Sequence, residues 1–503
     1  MSDISDDDTP DDTPDDLPEQ VQIRRAKYDR LMADPDRAPF PVTVARTDSL
    51  ADIRQEFLDL PAGAETGRQV GITGRVIFVR NTGKLCFATL RENGVELQAM
   101  LSADRVGAEA LAQWKSDVDL GDQVFITGEV ISSRRGELSV LADSWRMTAK
   151  ALRPLPVAHK PMSEESRVRQ RYVDLIVRPE ARRMVLMRSH VLSSIRSTLS
   201  GLGFVEVETP VLQSVHGGAA ARPFSTHLNA FDQPMSLRIA LELYLKRVVV
   251  GGVDRVYEMG KTFRNEGIDS THSAEFTMLE AYEAYGDYHS VAAWTRQVIV
   301  DAAAAAGVDT PRTPDGVEID LAGSWQWASM FDLVSDALGE RVTPDDDPAH
   351  LRTLAAARNV TLKDDWGVGE IVLELYEKLV EHTLIQPTFV CDYPRSVRPL
   401  ARPHRTDSRL AEAWDLVIGG VEIAPGYSEL ADPVEQRRLL VEQSLAAAAG
   451  DPEAMELDED FLQALEFGMP PTGGMGLGVD RLLGLFSGKG IRETILFPLL
   501  KPL

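Results

Sequence analysis

Short runs of alternating apolar and polar residues, separated by turns, occupy the chain from about Arg68 to Leu152. They read QVGITGRVIFVRNTGKLCFATL, VELQAML and QVFITGEVISSRRGELSVLADSW, and they predict five β-strands. A helical stretch, from about Ala103 to Lys115, lies between the third and the fourth strand. Five strands with a helix after the third are typical of the OB-fold, a small Greek-key barrel that binds oligonucleotides. We therefore predict this barrel over residues 66–152, although a purely structural barrel would show the same pattern.

Two residues of the predicted barrel are candidates for contact with nucleic acid. Phe87 and Gln98 could face the open side of the barrel, where an aromatic ring stacks on a base and an amide reads its edge. Phe87 could equally belong to the barrel core. The pattern of residues leaves both placements open.

The segments that flank the predicted barrel differ from it in composition. Residues 1–19 consist mainly of Asp, Thr, Pro and Ser and predict a disordered acidic tail, and residues 20–65 are a predicted helical extension. Prolines mark residues 153–166 as a linker. Residues 167–503 mix long helices with strands and lack the regular alternation that a parallel sheet requires. This pattern predicts an α+β domain built on an antiparallel sheet.

Composition excludes several classes of protein. The chain has 503 residues, of which 44% are hydrophobic and 26% charged, as in an ordinary globular protein. It contains no apolar run long enough to span a membrane and no basic-then-apolar start typical of a signal peptide. The two cysteines, Cys86 and Cys391, are far apart and lack metal-ligand spacing. We therefore expect neither a disulfide nor a zinc site, and a location in the reducing cytoplasm.

The net charge of −25 argues at first against a nucleic-acid partner. The first twenty residues, however, carry nine Asp or Glu and no Lys or Arg, whereas residues 66–155 carry twelve basic and ten acidic side chains. A short basic cluster, Arg24, Arg25, Lys27 and Arg30, precedes the barrel. A contact with nucleic acid at the N-terminal end therefore remains possible.

The segment Asp254–Tyr288 predicts a strand, a polar loop that contains His272, and a second strand. If RVYEMGKTFRNEG is extended, its alternation places Arg264 and Glu266 on one face with Glu258, Gly260 and Thr262. In the second strand, EFTMLEAYEAY, one face carries Phe276, Met278, Glu280 and Tyr282. Buried charges on a strand are costly, so they indicate either a binding site or a surface ladder of ion pairs.

The segment AWDLVIGGVEIAPGYSEL predicts a hairpin with Gly419 and Gly420 at its turn. That register pairs Val417 with Glu422 and Asp415 with Ala424, so Asp415 and Glu422 become diagonal neighbours on one face. Two carboxylates so placed repel unless a cation lies between them, and their oxygen ligands suit Mg²⁺. An exposed pair of carboxylates is the alternative. The Ala-Pro-Gly break that follows redirects Tyr427 and Glu429.

A third segment, GGMGLGVDRLLGLF, places glycines before an apolar helix. Glycines allow a ligand to approach the backbone closely. Arg481, near the predicted start of the helix, could contact a phosphate or stack on a base.

Taken in order, these segments resemble the class II aminoacyl-tRNA synthetases, and among them the lysine subgroup. GFVEVETPVL (Gly203–Leu212) is similar to the family's first motif, which lies at its dimer interface. FRNEG with THSAEFTMLEAY is similar to the second motif, and GLGVDRL to the third. The strings GGAAARPF, LELYLKR, LRPLP and RQRYVDL resemble the lysine subgroup. The resemblance runs from about Val21 to the C-terminus.

The resemblance implies a homodimeric enzyme that activates L-lysine with ATP and Mg²⁺ and transfers it to tRNA(Lys). Arg264 would bridge the substrate carboxylate and the α-phosphate. Phe276 and Arg481 would sandwich the adenine, Glu266 would contact its edge, and His272 would lie near the γ-phosphate. Asp415 and Glu422 would hold Mg²⁺.

The same resemblance implies where lysine and the anticodon bind. Glu429, with Glu280 and Tyr282 near it and Tyr427 beside it, would bind the side-chain ammonium. Glu242 and the carbonyl of Gly218 would hold the α-amino group. In the barrel, the anticodon-reading positions would be Phe87, Gln98 and Glu137.

Three departures from the family pattern concern the amino acid. Pro425 stands where Asn is usual and removes a side-chain amide and a backbone donor. Leu241 stands where Pro is usual, which loses only a preorganised helix start, and HSAEF replaces the commoner HNPEF. Two rivals remain: a paralogue that activates lysine for another acceptor such as a protein, and a non-catalytic protein that senses lysine or tRNA. The barrel counts against the first, and the retained residues count against the second, namely Arg264, Arg481, Asp415 and Glu422.

Overall fold

The computed structural model describes residues 18–156, 161–269, 272–448 and 455–502. The chain forms two compact units, one up to Arg182 and the other from Arg183 onward. Residues 1–17 of the predicted tail lie outside the described residues. The first helix begins at Glu19, whose acidic side chain stabilises the helix by interacting with the positive end of its dipole.

The first unit is built around a five-stranded barrel. Its elements are α1 (Glu19–Met32), α2 (Leu50–Glu56), β1 (Glu65–Thr82), β2 (Leu85–Glu92), β3 (Val95–Ser102), α3 (Ala103–Val106), α4 (Ala108–Asp117), β4 (Gln123–Ser132), β5 (Leu138–Ala149), α5 (Glu164–Arg169) and α6 (Arg171–Val177). The strands close in the order β1-β2-β3-β5-β4, which confirms the predicted OB-fold. The single predicted helix is two helices, because Gly107 at φ 87° breaks it.

Side chains alternate strictly between the two faces of β2 and β3, and this alternation decides whether Phe87 lies inside or outside the barrel. Side chains on the inner face are buried: Cys86, Ala88, Leu90, Leu97, Ala99 and Leu101. Phe87 points the other way and is half-buried, since successive side chains on a strand face opposite sides. Phe87 is therefore not a core residue.

The basic cluster on α1 is used to attach this helix to the barrel. Lys27 Nζ lies 2.7 Å from Asp119, which also pairs with the buried Lys150 at 2.6 Å. Arg24 donates to the carbonyl of Leu120, and Arg30 pairs with the buried Asp117. These contacts use three of the four cluster cations within the protein, which weakens the case for nucleic-acid binding by this helix.

The second unit is a helix-covered sheet. Its elements, from residue 179 onward, are α7 (Pro179–Gly201), β6 (Val205–Glu206), β7 (Leu212–Gln213), β8 (Ser225–Leu228), β9 (Gln233–Leu237), α8 (Glu242–Val250), β10 (Arg255–Phe263), β11 (Glu275–Ala284), α9 (Tyr288–Ala305), β12 (Gln326–Ser329), α10 (Met330–Leu338), α11 (Pro348–Ala357), α12 (Val368–Leu379), β13 (Thr388–Pro394), β14 (Leu410–Ile418), β15 (Val421–Ser428), α13 (Pro433–Ala448), α14 (Glu459–Glu466), β16 (Thr472–Gly478), α15 (Val479–Ser487) and α16 (Ile491–Thr494). Short 3₁₀ helices span Glu381–Thr383 and Arg395–Val397.

Eight strands form the main sheet, in the order β12-β13-β14-β15-β16-β11-β10-β6. The predicted antiparallel pairing holds across its centre, but β6 with β10 and β12 with β13 are parallel. Both parallel pairs are joined through intervening helices, as a parallel crossover requires. A separate three-stranded sheet has the order β7-β9-β8.

The two faces of the main sheet differ in character. One face packs apolar side chains under α9 and α15, among them Leu279, Trp414, Leu416, Met475 and Leu477. Residues adjacent to these in the strands point to the opposite face and include carboxylates, tyrosines and glycines. The polar face is therefore where the sheet can receive a ligand.

Among the residues that the structure describes, no helix has the length and the apolar character that crossing a membrane requires.

Candidate active site

A cavity of about 370 Å³ lies on the polar face of the sheet. It gathers predicted residues from the strands, from α8, from α15 and from the loop between β10 and β11. Every predicted site residue of the second unit lines it except Asp415 and Glu429: Gly218, Glu242, Arg264, Glu266, His272, Phe276, Glu280, Tyr282, Glu422, Tyr427 and Arg481. Arg398, which the sequence pattern did not single out, also lines it.

Arg264 follows directly after the last residue of β10. Its backbone N–H donates to the carbonyl of Ala274 at 2.9 Å, which holds it opposite β11. Its guanidinium lies 5.3 Å from the centre of the Phe276 ring, a cation–π distance. Burial lowers the pKa of Arg264, and the carboxylates of Glu266 and Glu422 oppose that shift. A cation is thus held against an aromatic face at one end of the cavity.

Glu266 lies beyond the end of β10, so the predicted strand alternation does not reach it. Its Oε1 accepts a hydrogen bond from the backbone N–H of Arg222 at 3.1 Å. His272 is exposed and pairs with Asp269, its Nδ1 lying 2.9 Å from Asp269 Oδ2. Both residues border the cavity; Glu266 is bonded to the segment before β8, and His272 to its own loop.

Arg481 belongs to the first turn of α15, and its neighbour Asp480 anchors that turn. Asp480 is buried; its carboxylate pairs with Arg188 of α7 and accepts the backbone N–H of Thr277 at 2.7 Å. Arg481 Nη1 in turn donates to the carbonyl of Glu422 at 3.0 Å. The anchored turn therefore places Arg481 between α15 and β15, at the cavity wall.

The glycines of β16 keep the centre of the cavity open. Gly474, Gly476 and Gly478 alternate with the buried Met475 and Leu477, and Gly476 and Gly478 line the cavity. A Cβ on Gly474 would lie 2.6 Å from the ring of Tyr282 and closer still to Glu429 Oε1, so glycine there makes room for those two side chains. Close approach of a ligand to the backbone of this strand stays a prediction.

The opposite end of the cavity is acidic. Tyr282 donates its hydroxyl to Glu280 Oε2 at 3.0 Å, and the backbone N–H of Leu241 donates to Glu280 Oε1 at 2.9 Å. Burial, reinforced by the charge of Glu242, raises the pKa of Glu280 to about 7. Leu241 therefore does more than alter the helix start, because a proline there would lack this donor.

Gly218 fits closely against the same acidic end. Its φ of 85° favours glycine, and a Cβ there would lie 3.0 Å from the Cβ of Glu242. Glycine thus lets this backbone segment pack against the start of α8 at Glu242, and the contact of its carbonyl with the α-amino group, which the family resemblance implies, stays a prediction.

Glu429 is buried beneath the cavity and does not line it. Its Oε2 lies 2.7 Å from Nζ of Lys246, a lysine of α8 that sequence reasoning missed. Lys246 also lies 2.7 Å from Glu242 Oε1, four residues earlier on the same helix. Burial raises the pKa of Glu429 to about 8; the charge of Lys246 opposes that shift, and Glu242 adds to it. The i, i+4 spacing of Glu242 and Lys246 on one helix is the sequence signal that could have identified Lys246 as a partner of Glu242.

The predicted carboxylate pair differs from expectation at Asp415. The hairpin pairs Val417 with Glu422 as predicted, but a β-bulge between Leu416 and Val417 places Asp415 opposite Pro425 rather than Ala424. The extra residue on β15 shifts the register. Pro425 is tolerated there because the pairing of β15 with β16 begins only at Gly426.

Asp415 is held by partners that the sequence did not reveal. Its Oδ2 accepts the hydroxyl of Tyr393 at 2.6 Å and pairs with Arg398. Burial raises the pKa of Asp415 to about 6, and Arg398 opposes the shift. Its Oδ1 is buried and has no hydrogen-bond partner.

Whether these groups suit Mg²⁺ depends on the donor set. Within the described ranges, no group of three or more His, Cys, Asp and Glu is arranged to hold a metal. Mg²⁺ is usually bound by one or two carboxylates together with substrate phosphates. The unpartnered Oδ1 of Asp415 and the carboxylate of Glu422 at the cavity wall fit that requirement.

The candidate anticodon residues lie on the outer surface of the barrel. Phe87 and Gln98 are diagonal neighbours, because Gln98 is paired with Thr89, two residues beyond Phe87. Gln98 Nε2 donates to Ser139 Oγ at 2.8 Å, and Glu137, two residues earlier, is exposed. Arg80 lies 4.8 Å over the Phe87 ring. A half-exposed aromatic ring, an amide and a carboxylate thus occur together.

The largely antiparallel sheet, its glycine strand and the Arg264–Phe276 pair define a class II synthetase catalytic unit, and the first unit is an OB-fold. Comparison with known families agrees. A family model of class II tRNA synthetases (D, K and N) matches residues 163–501, and a model of the OB-fold nucleic acid binding domain matches residues 70–148. The chain belongs to the class II aminoacyl-tRNA synthetases.

Individual relatives are similar over nearly the whole chain. A lysine–tRNA ligase of Kineococcus radiotolerans is 57% identical over 498 residues, covering 98% of this chain and 99% of that protein. A lysine–tRNA ligase of Mycolicibacterium gilvum is 56% identical over 488 residues, covering 96% and 97%. A lysylphosphatidylglycerol biosynthesis bifunctional protein LysX of Mycobacterium marinum is 49% identical over 508 residues, covering 100% of this chain but 45% of that protein.

The anchoring of Arg481 predicts a cost for Asp480→Asn. This substitution removes the negative charge that pairs with the Arg188 guanidinium. It should lower the free energy of unfolding by about 3 kcal/mol, as measured by chemical unfolding. Asp407→Asn is the matched control, because Asp407 pairs with Arg409 in solvent and should leave the unfolding midpoint almost unchanged. Equal effects of the two substitutions would contradict the anchoring role.

Proposed function

We propose that this chain activates L-lysine with ATP, forming lysyl-adenylate and pyrophosphate, and transfers the lysyl group to the 3′ end of tRNA(Lys). The observation that carries the proposal is one cavity with two ends. Arg264, Arg481 and Phe276 suit a nucleotide at one end, whereas Glu242 and Glu280 suit ammonium groups at the other. The names of the two relatives that match nearly end to end, both lysine–tRNA ligases, support the same activity.

The activation step requires two anions to meet. An oxygen of the lysine carboxylate attacks the α-phosphorus of ATP, and the bond between that phosphorus and the α,β-bridging oxygen breaks, so that pyrophosphate leaves. Arg264 can bridge both reacting groups because a guanidinium presents several directed donors. Its position against Phe276 restricts its motion, so little reorganisation is needed when charge develops.

The nucleotide is held by groups around the cationic end. Phe276 and Arg481 present flat surfaces to an adenine, and Glu266 and His272 lie at the rim of the same cavity. Asp415 and Glu422 would hold Mg²⁺, which supplies charge neutralisation for the leaving pyrophosphate. No covalent bond to the enzyme is required, so positioning and electrostatics account for the rate.

Lysine is recognised, in this proposal, by its two ammonium groups. Glu242 and the backbone at Gly218 would hold the α-amino group. Glu280 with Tyr282, and Glu429 beneath them, would receive the side-chain ammonium, with Tyr427 lining the same wall. An amino acid without that ammonium would leave a buried carboxylate unpaired, which costs several kcal/mol.

Transfer to tRNA completes the reaction. The terminal ribose hydroxyl attacks the carbonyl carbon of the adenylate, and AMP leaves. The outer face of the barrel would read the anticodon through stacking on Phe87 and polar contacts with Gln98 and Glu137. An acceptor without an anticodon would leave this surface of the barrel without a function, so we favour tRNA over another acceptor.

We also infer a homodimer. Apolar side chains are exposed on α7 and on the segment after it that resembles the family's interface motif: Leu186 at 53%, Val205 at 52% and Leu212 at 46%. Exposed apolar residues grouped on consecutive elements are typical of a protein interface. A second copy of the chain would bury them.

We infer a cytoplasmic location as well. Charging of tRNA supplies translation, which takes place there. Cys86 and Cys391 are both free thiols, which suits a reducing compartment.

Pyrophosphate exchange with each amino acid tests the proposed activity, and lysine should support it. Glu429→Gln should raise the lysine KM at least about tenfold, since a buried ammonium loses its charged partner, and should leave the ATP KM unchanged. No exchange with any amino acid would overturn the proposal, and exchange without tRNA charging would favour another acceptor. An unchanged lysine KM would show that Glu429 is not part of the pocket.

The barrel predicts an effect that is confined to tRNA. Phe87→Ala should lower kcat/KM for tRNA(Lys) about tenfold by removing a stacking surface, without affecting pyrophosphate exchange. Phe78→Ala is the control, because Phe78 is exposed on β1 but borders the linker side of the first unit. Aminoacylation that is equally sensitive to both changes would argue against anticodon reading by Phe87.

The inferred dimer predicts that Leu186→Asp dissociates it, because a charge would be buried at the interface. Sedimentation equilibrium should show a dimer for the unmodified chain and a monomer for the variant. Leu445→Asp on α13, where the side chain is 65% exposed, should remain dimeric. A monomeric unmodified chain would refute the inference.

A further inference from the structure

Lys246 connects two carboxylates that the proposed mechanism assigns to different ends of the substrate. Its side chain is 0% exposed, and its Nζ lies 2.7 Å from Glu242 Oε1 and 2.7 Å from Glu429 Oε2. Glu242 belongs to α8, whereas Glu429 follows β15. One ammonium therefore links a helix to the end of a strand.

Lys246 approaches these carboxylates from outside the cavity. Glu242, Glu280 and Tyr282 line the cavity wall, but Lys246 does not. It forms an ion pair with Oε2 of Glu429, and both oxygens of this carboxylate are buried without a hydrogen-bond partner. Oε1, the oxygen outside the ion pair, lies on the side of Gly474 and Tyr282.

The charges of the pocket require such a residue. Glu242, Glu280 and Glu429 would carry three negative charges when ionised, and lysine brings two ammonium groups to them. Lys246 supplies the third positive charge, so these three carboxylates and three ammonium groups balance one another at the acidic end of the cavity. Without it, one carboxylate would be left buried without a counter-charge, which is costly at this depth.

We propose that Lys246 is a positioning residue for amino-acid recognition: it fixes Glu242 and Glu429 relative to each other and so sets the distance between the two ammonium sites. The inference rests on the proposed lysine activation. It assigns Lys246 no contact with substrate, ATP or the reacting atoms.

The groups around Glu429 determine how this role depends on pH. Glu242 and Lys246 face it from α8, and Glu280 and Tyr282 face it from β11. A second cavity, which Glu429 does line, also has five titratable or charged residues in its wall: Tyr285, Asp287, Arg402, Arg405 and Glu412. Lys246 is the cation that lowers the pKa of Glu429 against burial. Removing Lys246 should raise that pKa further. An ammonium binds the ionised carboxylate. As the pH is lowered, lysine recognition should therefore be lost at a higher pH in the variant than in the unmodified chain.

The test is Lys246→Met, which keeps the length of the side chain but removes its charge. Pyrophosphate exchange should show a lysine KM raised about tenfold or more, an ATP KM changed less than about twofold, and an acid limb of kcat/KM for lysine moved to higher pH. Lys246→Arg should restore part of the loss. In a Glu429→Gln background, Lys246→Met should have a smaller effect, since the pair is already broken.

The matched control is Lys150→Met in the barrel. Lys150 is equally buried and pairs with Asp119 and Asp122, so this change should lower the melting temperature without altering the lysine KM. If Lys246→Met does not fold, Lys246→Arg keeps the charge but changes the geometry of the pair, and a raised lysine KM with an unchanged ATP KM in that variant tests the same role.

The outcomes separate two failures. If the unmodified chain shows no lysine-dependent exchange, the proposed function fails, whatever Lys246 does. If it does exchange and Lys246→Met leaves the lysine KM unchanged, the positioning role is wrong. A lower lysine KM would also overturn it, because it would mean that Lys246 competes with the substrate for Glu429.

Discussion

The cost of burying carboxylates on one face of a sheet governs this active site. Glu280, Glu429 and Asp415 each lie where water is scarce, and burial raises the pKa of each carboxyl group. A site that binds cations needs these groups, yet an ionised carboxylate without a counter-charge would destabilise the fold. The surrounding elements are arranged to supply that compensation before any ligand arrives.

The compensation depends on elements far apart in the chain. Tyr393 reaches Asp415 from β13, Arg398 reaches it from just after the short 3₁₀ helix that follows β13, and Lys246 reaches Glu429 from α8. Asp480 links α15 to β11 and α7 in the same manner. The glycines of β16 then leave space above the sheet, because their neighbours in the strand fill the core below it. The polar face is thus held from several sides while its centre stays open.

Alternation and turn chemistry made much of this predictable from the sequence. The barrel, the helix after its third strand and the strand–loop–strand around Arg264 follow from local patterns. Pairing between residues that are far apart in the chain does not follow from local patterns. The bulge that moves Asp415 opposite Pro425 depends on one extra residue in β15, and the partners Arg398 and Lys246 come from segments whose local pattern is ordinary. Phe87 could be placed only once the register of β2 was known.

A common arrangement unites the two acidic groups that the sequence assigned to different ligands. Asp415 was expected to bind a metal and Glu429 an ammonium, and each is held by a cation of the protein on its Oδ2 or Oε2. The oxygen of each that lies outside the ion pair, Asp415 Oδ1 or Glu429 Oε1, is buried and lacks a hydrogen-bond partner, and Glu429 Oε2 has only its ion pair with Lys246. A carboxylate held in this way is oriented and partly neutralised, yet retains one oxygen for a ligand. The unsatisfied oxygen is itself costly, so a cation that reaches it gains both its own attraction and relief of that cost. The same arrangement at both ends lets one small cavity receive a metal with phosphates and an amino acid with two ammonium groups.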